Sequence, residues 1–372
     1  MSDPRIPPWT LPVALIAGLG IGWAAGRGGA PAVAPAPPPP VPAAPGFTSG
    51  VGAGSLYHIA IQQITESSDE AKLAARAMLR TLTTSDPTGC TDAQAIWQRI
   101  SATENFGGEY GALDWLCTYV QADAAARTEI TTRDADGARI VRHLDRVGWK
   151  RLEEYLNTRY LLQIADMWQM DHDQLTFLHE LLRFNGPQRR DWEHTDDVVS
   201  QLGLTPGMAV ADVGAGAGFL TYRFAKAVGP TGKVHALEIS MQALAYLKQT
   251  TADEGLTNVE IVTSTDTDLT LPENSVDVVW ICNLYHWIYG DYTEPERAAF
   301  LQSIHKALKP GGRLVISDQP PEAELPVGAI RYQGFSISSK LTIAQLEGAG
   351  FQLHKRLDTV PHRYVIEFVE KE

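Results

Sequence analysis

The amino-acid sequence predicts an α/β fold in which a mainly parallel sheet carries helices on both faces, preceded by a mainly helical region and an N-terminal membrane anchor. Three observations carry this expectation. From residue 186 onward, apolar strand-like runs alternate with helical patterns, and such alternation implies parallel pairing with both faces covered. Residues 55–185 instead show mainly helical periodicity. Ahead of both, residues 6–26 contain no charged side chain, close to the ~20 residues needed to cross a bilayer.

In chain order, residues 1–30 are read as a transmembrane anchor. The competing reading is a secretory signal, with Arg5 as its basic region and Ala32-Val33-Ala34 as a cleavage site. Residues 31–54 form a linker: the eight prolines of 31–45 make an extended, semi-rigid spacer, and Gly46 to Gly54 adds flexibility. Residues 55–185 form a mainly helical accessory domain, expected to shape the substrate entrance. Its helical patterns are Glu70 to Arg80, Ala93 to Ser101 and Trp149 to Met167, with Asp69 and Asp92 as caps. Thr128 to Val141 is expected to form a small hairpin, because β-branched residues flank the turn sequence Asp134-Ala-Asp-Gly137.

Residues 186–372 contain the strand runs Met208 to Val213, Lys233 to Glu238, Val259 to Thr263, Val276 to Cys282, Arg313 to Asp318, Gln352 to Asp358 and Arg363 to Val369. Thr293-Glu-Pro-Glu296 and Thr342-Ile-Ala-Gln345 read as capping boxes that open two of the intervening helices. Only Val360-Pro361-His362 separates the last two runs, so those strands should pair antiparallel.

The most informative segment is Asp212-Val213-Gly214-Ala215-Gly216-Ala217-Gly218, which follows the apolar run Met208 to Ala211. Three glycines at two-residue steps, between a strand and a helix, let backbone approach a ligand directly. A dinucleotide-binding turn would place its third glycine one residue later, where this chain has Phe219. The tighter turn, with an acid two residues before its first glycine, resembles the first motif of class I S-adenosylmethionine-dependent methyltransferases. The likeness continues in register through Val234-His235-Ala236-Leu237-Glu238, Val276 to Asn283, and Leu308-Lys309-Pro310-Gly311-Gly312 with the strand after it.

This resemblance implies a Rossmann-like seven-stranded sheet with the final hairpin at one edge, and S-adenosyl-L-methionine as cofactor. Asp212, Gly214, Gly216 and Gly218 would shape the methionine pocket. Glu238 would hold the ribose hydroxyls, because its two oxygens can accept from two adjacent hydroxyls. Thr265 or Asp266 would meet adenine, and Asn283, closing strand four, is the remaining cofactor-binding candidate.

Asn283-Leu284-Tyr285-His286-Trp287 is the expected acceptor-facing wall. His286 and Tyr285 are the catalytic candidates: an imidazole titrates near neutrality and can take a proton from a hydroxyl or amine, and Tyr285 and Trp287 offer π faces to a sulfonium or an aromatic acceptor. Arg331 and Tyr332 are positioned to enter the site from a lid-like connection. No metal is expected, since His172, His179 and His194, with nearby Asp171, Asp173, Asp196 and Asp197, lack metal-ligand spacing. Arg142, Arg146 and Lys150 read as a solvated face rather than a lipid-binding one. The formal charge of −13 argues against general nucleic-acid binding. Cys90, Cys117 and Cys282 are spaced for neither a disulfide framework nor zinc.

The expected protein is thus a membrane-anchored methyltransferase acting on a small-molecule or lipid-associated acceptor, with its catalytic domain on the cytoplasmic side, where the cofactor is made. Two other classes have clear discriminators. A membrane-tethered scaffold with an inactive transferase fold would bind cofactor without turnover, and a nicotinamide-dependent oxidoreductase would prefer a dinucleotide.

Overall fold

The computed structural model describes residues 67–101, 109–162, 172–321, 336–357, 360 and 363–371. The apolar segment, the proline-rich linker, Arg331 and Tyr332 lie outside the described residues. Among the described residues, no helix is long and apolar enough to cross a membrane.

The first layer is helical: α1 (Asp69–Thr84), α2 (Pro87–Ser101), α3 (Glu109–Gln121), α4 (Ala124–Arg133), α5 (Ala135–Val147), α6 (Lys150–Arg159) and α7 (His172–Asn185). Helix α1 starts at Asp69 because Ser68 caps it, accepting from Ala71 N–H at 3.1 Å. Its buried Ala71, Ala74, Ala75 and Met78 recur at helical spacing. The expected cap Asp92 lies inside α2, where it pairs with Arg80 at 2.6 Å.

Residues 128–141 are not a hairpin. Asp134 caps α5 by accepting from Gly137 N–H at 3.0 Å, so the supposed turn sequence opens a helix. Burial of Ile140, Val141 and Leu144 on one face of α5 outweighs the strand preference of the β-branched residues. Gly137 also admits the Trp115 ring, which would lie 2.1 Å from any added Cβ. Helix α6 ends at Arg159, with Leu161 left-handed at φ +51°, and residues 163–167 of the expected helix lie outside the described residues.

Short helices α8 (Arg189–Trp192) and α9 (Thr195–Gln201) lead into the sheet domain. There β1 (Ala209–Val213), α10 (Phe219–Val228), β2 (Lys233–Glu238), α11 (Met241–Asp253), β3 (Val259–Thr263), β4 (Val276–Cys282), α12 (Tyr285–Asp291), α13 (Glu294–Ala307), β5 (Leu308–Asp318), α14 (Ser339–Gly348), β6 (Phe351–Leu357) and β7 (Tyr364–Glu370) follow. They build one seven-stranded sheet in the order β3-β2-β1-β4-β5-β7-β6. Strands β1 to β5 pair parallel, while β7 runs antiparallel to both β5 and β6. The expected box at Thr293 opens α13, with Glu296 reaching back to the Thr293 N–H at 2.8 Å. The one at Thr342 does not form. Ser338 precedes α14, and Thr342 is a buried helix residue bonded to Ser338 O and Tyr364 Oη.

Strand order reverses between β1 and β4, which opens a crevice at their carboxyl ends. The helical layer packs against that end. Leu178, Leu181 and Phe177 of α7 share a core with Ala217 of the glycine turn and with Ala243 and Tyr246 of α11. Arg142 and Arg146 are not simply solvated: Arg139 and Arg142 pair with Glu254, and Arg146 pairs with Asp253, just past the end of α11 and at its last residue. These contacts fix α5 to the C-terminal end of α11.

Candidate active site

Gly214, Gly216 and Gly218 all adopt left-handed backbone, with φ of +69°, +56° and +85°. Their roles differ. An added Cβ at Gly214 would meet Leu284 at 2.9 Å, and one at Gly218 would meet Tyr222 at 2.7 Å, so these two glycines serve packing. Around Gly216 an added Cβ would meet nothing within 4 Å, which leaves its backbone open to a ligand. The turn hangs from β2, because Gly214 and Ala215 N–H both donate to Leu237 O.

Glu238, at the end of β2, faces this turn. Its Oε2 accepts from Gly216 N–H at 2.8 Å, and its Oε1 accepts from Ile239 and Ser240 N–H at 2.8 and 2.9 Å. An uncovered glycine and a carboxylate fixed beside it fit the ribose and methionine ends of a sulfonium nucleoside. Asp212 lies below the turn, buried, accepting from Thr221 Oγ1 at 2.6 Å. Burial pushes its carboxyl up to about 6, against the Thr221 hydrogen bond.

Past β3, Thr265 and Asp266 separate clearly. The exposed Thr265 hydroxyl closes a local turn by accepting from Asp268 N–H at 3.0 Å. Asp266 is half-buried, and its charge helps to raise Tyr292, whose hydroxyl burial already pushes above its usual range.

On the other side of the crevice, His286 in α12 meets Asp318 at the end of β5. His286 Nδ1 lies 2.8 and 3.0 Å from the two Asp318 oxygens, and the His286 backbone N–H donates to Oδ2 at 3.0 Å. Asp318 is fully buried and also accepts from Gln319 N–H. Trp287 lies alongside, its ring 5.7 Å from that of His286.

Tyr285 departs from expectation. It is fully buried, and its hydroxyl donates to Gln345 Oε1 at 2.7 Å, so it is a core residue of α12 and α14 rather than an acceptor-facing one. One residue along a helix is a rotation of about 100°, which turns Tyr285 into the core and sets the His286 ring against Asp318. Among the expected histidines, His179 is buried with Nδ1 3.0 Å from Tyr155 Oη, and burial pushes it down to about 3. His194 faces Asp197 at 3.8 Å.

Asn283 is held by residues that sequence inspection does not bring together. Its Oδ1 accepts from Arg363, which also contacts Ser317 Oγ and pairs with Glu193. Arg189 completes the group, pairing with Glu193 at 2.7 Å and resting its guanidinium 4.4 Å from the Phe219 ring centroid. Cys282 touches both arginines, yet burial and the Glu193 charge push its thiol up to about 11. It is therefore not a thiolate nucleophile. Burial opposes ionisation of Glu193, but Arg189 and Arg363 together hold its carboxyl below the usual range. Glu193→Ala leaves two buried guanidinium groups without their shared carboxylate, and a loss of about 3–5 kcal/mol in stability is expected, read as a lowered denaturation midpoint.

Comparison with known proteins agrees with this arrangement. A family profile described as a methyltransferase domain matches residues 204–352. A ubiquinone/menaquinone biosynthesis C-methyltransferase UbiE from Ectopseudomonas mendocina is 36% identical over 155 residues, which cover 41% of this chain and 57% of that protein. A demethylmenaquinone methyltransferase from Geobacillus stearothermophilus is 32% identical over 124 residues, 33% of this chain and 50% of that protein. This chain thus spans about half the length of these curated relatives. The crystal structure of a SAM dependent methyltransferase from Aquifex aeolicus is 27% identical, covering 49% of this chain and 92% of that one at a TM-score of 0.43. Residues 204–352, which hold the glycine turn and Glu238, thus match a methyltransferase domain.

Proposed function

We propose that this protein methylates a small-molecule or lipid-associated acceptor bearing an ionisable hydroxyl, with quinol-type rings the leading class. The observation that carries the reading is the His286–Asp318 pair at the carboxyl ends of β4 and β5, across the crevice from Glu238. The names of the quinone-methylating relatives support the ring class. When bound, the cofactor supplies an electrophilic methyl group on a sulfonium.

The chain's own residues do the rest. Asp212 and the glycine turn hold the methionine end, Glu238 accepts from the ribose hydroxyls, and Asp266, rather than Thr265, meets adenine. With Nδ1 engaged by Asp318, His286 exchanges protons with the acceptor through Nε2. Removing the hydroxyl proton makes the acceptor electron-rich, and Asp318 stabilises the resulting imidazolium. Arg363 orients Asn283 at the boundary between the two halves. Tethering through residues 1–54, with the catalytic domain on the cytoplasmic side, rests on the apolar N-terminal sequence and suits an acceptor dissolved in lipid.

The test is to incubate the full chain with methyl-labelled cofactor and separate lipid, small-molecule, protein and RNA fractions of an extract, with a demethylated quinol assayed in parallel. Label in the lipid or small-molecule fraction is the expected result. Label confined to protein or RNA contradicts the acceptor class.

A further inference from the structure

Tyr222, on the first turn of α10, ties the glycine turn to the helical layer. Its buried ring packs with Ala236 of β2, Leu247 of α11 and Ala215 of the turn itself. Its hydroxyl donates to Ala217 O at 3.1 Å. The ring also explains the third glycine of the turn, because a Cβ at Gly218 would lie 2.7 Å from Tyr222 Cζ and 2.8 Å from its Oη. The turn is thus fixed at both ends. On the strand side, Gly214 and Ala215 N–H donate to Leu237 O, and on the helix side Ala217 O accepts from Tyr222. Gly216, the glycine left open to a ligand, lies between these two points with its N–H on Glu238.

Tyr222 is in turn held from the helical layer. The Arg139 guanidinium, on α5, lies 4.0 Å from the Tyr222 ring centroid, within reach of a cation–π contact. That guanidinium is engaged on two sides. Its Nε and Nη2 donate to the two Glu254 oxygens at 2.7 and 2.8 Å, and its Nη1 donates to Asp136 at 2.8 Å. A planar fork bound bidentately is fixed in direction as well as in place. It therefore sets the Tyr222 ring, and the ring sets Ala217.

We infer that Arg139 and Tyr222 are positioning residues for the glycine turn, through which the helical layer sets the protein's affinity for S-adenosylmethionine. This inference rests on the cofactor site proposed above. The physical argument is preorganisation. A turn already held in its binding shape costs a ligand little to order, whereas a turn that relaxes when empty takes that cost out of the affinity. Three glycines in left-handed backbone leave this segment many other conformations once one end is released. Without the Tyr222 hydroxyl, Ala217 O has no hydrogen-bond donor among the described residues, and a buried carbonyl without a donor favours relaxation. Methyl donor and thioether product share the ribose and the amino-acid end, so both should lose affinity alike.

The test is calorimetric titration of the full chain with S-adenosylmethionine and with S-adenosylhomocysteine, for the wild type, Tyr222→Phe, Arg139→Met and the double variant, together with the denaturation midpoint of each ligand-free protein. Tyr222→Phe keeps the ring and removes one oxygen, and it should weaken both ligands about five- to tenfold, the range that one net hydrogen bond gives. Arg139→Met strands neither acid, since Glu254 still pairs with Arg142 and Asp136 with Arg223. It should weaken both ligands about fivefold, the scale of a partly buried cation–π contact. In the Tyr222→Phe background the same change should cost less than about twofold, because the ring it steadies no longer holds the turn. Full additivity of the two losses overturns the proposed path from Arg139 through Tyr222. A lowered midpoint in Tyr222→Phe with unchanged affinity reduces the hydroxyl to a folding role and overturns the assignment, whether or not Arg139→Met folds. No saturable binding of either ligand by the wild type removes the cofactor site and this inference with it.

Discussion

Replacement of His286 by Ala is expected to lower kcat by about 10²–10⁴-fold, the range typical of a positioned general base, while the dissociation constant for S-adenosylmethionine stays within about twofold. The separation follows from geometry. His286 sits on α12 beyond β4 and is held from β5 by Asp318, whereas the proposed cofactor contacts come from β1, β2 and the loop after β3. Asp318→Asn should show a related but distinct loss. An amide can still meet one hydrogen bond, but it no longer stabilises imidazolium and can set the wrong tautomer. Its kcat should therefore fall with a steeper dependence on acceptor hydroxyl acidity than in the wild type. Measuring kcat for a series of acceptors of graded hydroxyl pKa checks this. Equal loss across the series would leave the pair with a positioning role only.

Replacement of Glu238 by Ala is expected to weaken S-adenosylmethionine binding by at least about 100-fold. Two charge-assisted hydrogen bonds to ribose at about 1.5–3 kcal/mol each give that magnitude. The same carboxylate accepts from Gly216, Ile239 and Ser240 N–H, so its loss also frees the turn it organises. A fall of about 1–3 kcal/mol in stability should accompany the binding defect. Glu238→Gln separates the two effects. It restores an acceptor to the turn and should recover most of the stability, but little of the affinity. Full affinity in Glu238→Gln would mean that the negative charge is not what the cofactor meets.

The sheet was legible because its signals are local. The expected runs at β2, β3 and β4 coincide with the observed strands residue for residue. The glycine turn was legible for the same reason, since its spacing alone demands a strand before it and a helix after it. What sequence inspection misjudged depends on neighbours far along the chain. Asp134 looks like a hairpin turn until the packing of α5 against Trp115 and α11 makes it a helix cap. Tyr285 and His286 are adjacent in sequence, and only the direction of the core decides which one turns inward.

Asp318 was the most findable of the missed residues. It ends a strand at the same edge as Asp212 and Glu238, and an acid at such a strand end is a candidate by position. Glu193 and Arg363 lie 170 residues apart. No local pattern could mark these residues. They are placed by the docking of the helical layer, the part of the chain that carries the weakest sequence signals.

The central claim is that the crevice between the glycine turn and Glu238 holds S-adenosylmethionine. Equilibrium dialysis of labelled S-adenosylmethionine against the full chain, with unlabelled S-adenosylhomocysteine and nicotinamide dinucleotides as competitors, tests it most directly. The account predicts saturable binding at one site per chain, displaced by S-adenosylhomocysteine and untouched by the dinucleotides. Absence of saturable binding, or displacement by a nicotinamide dinucleotide at lower concentration than S-adenosylhomocysteine, would contradict it.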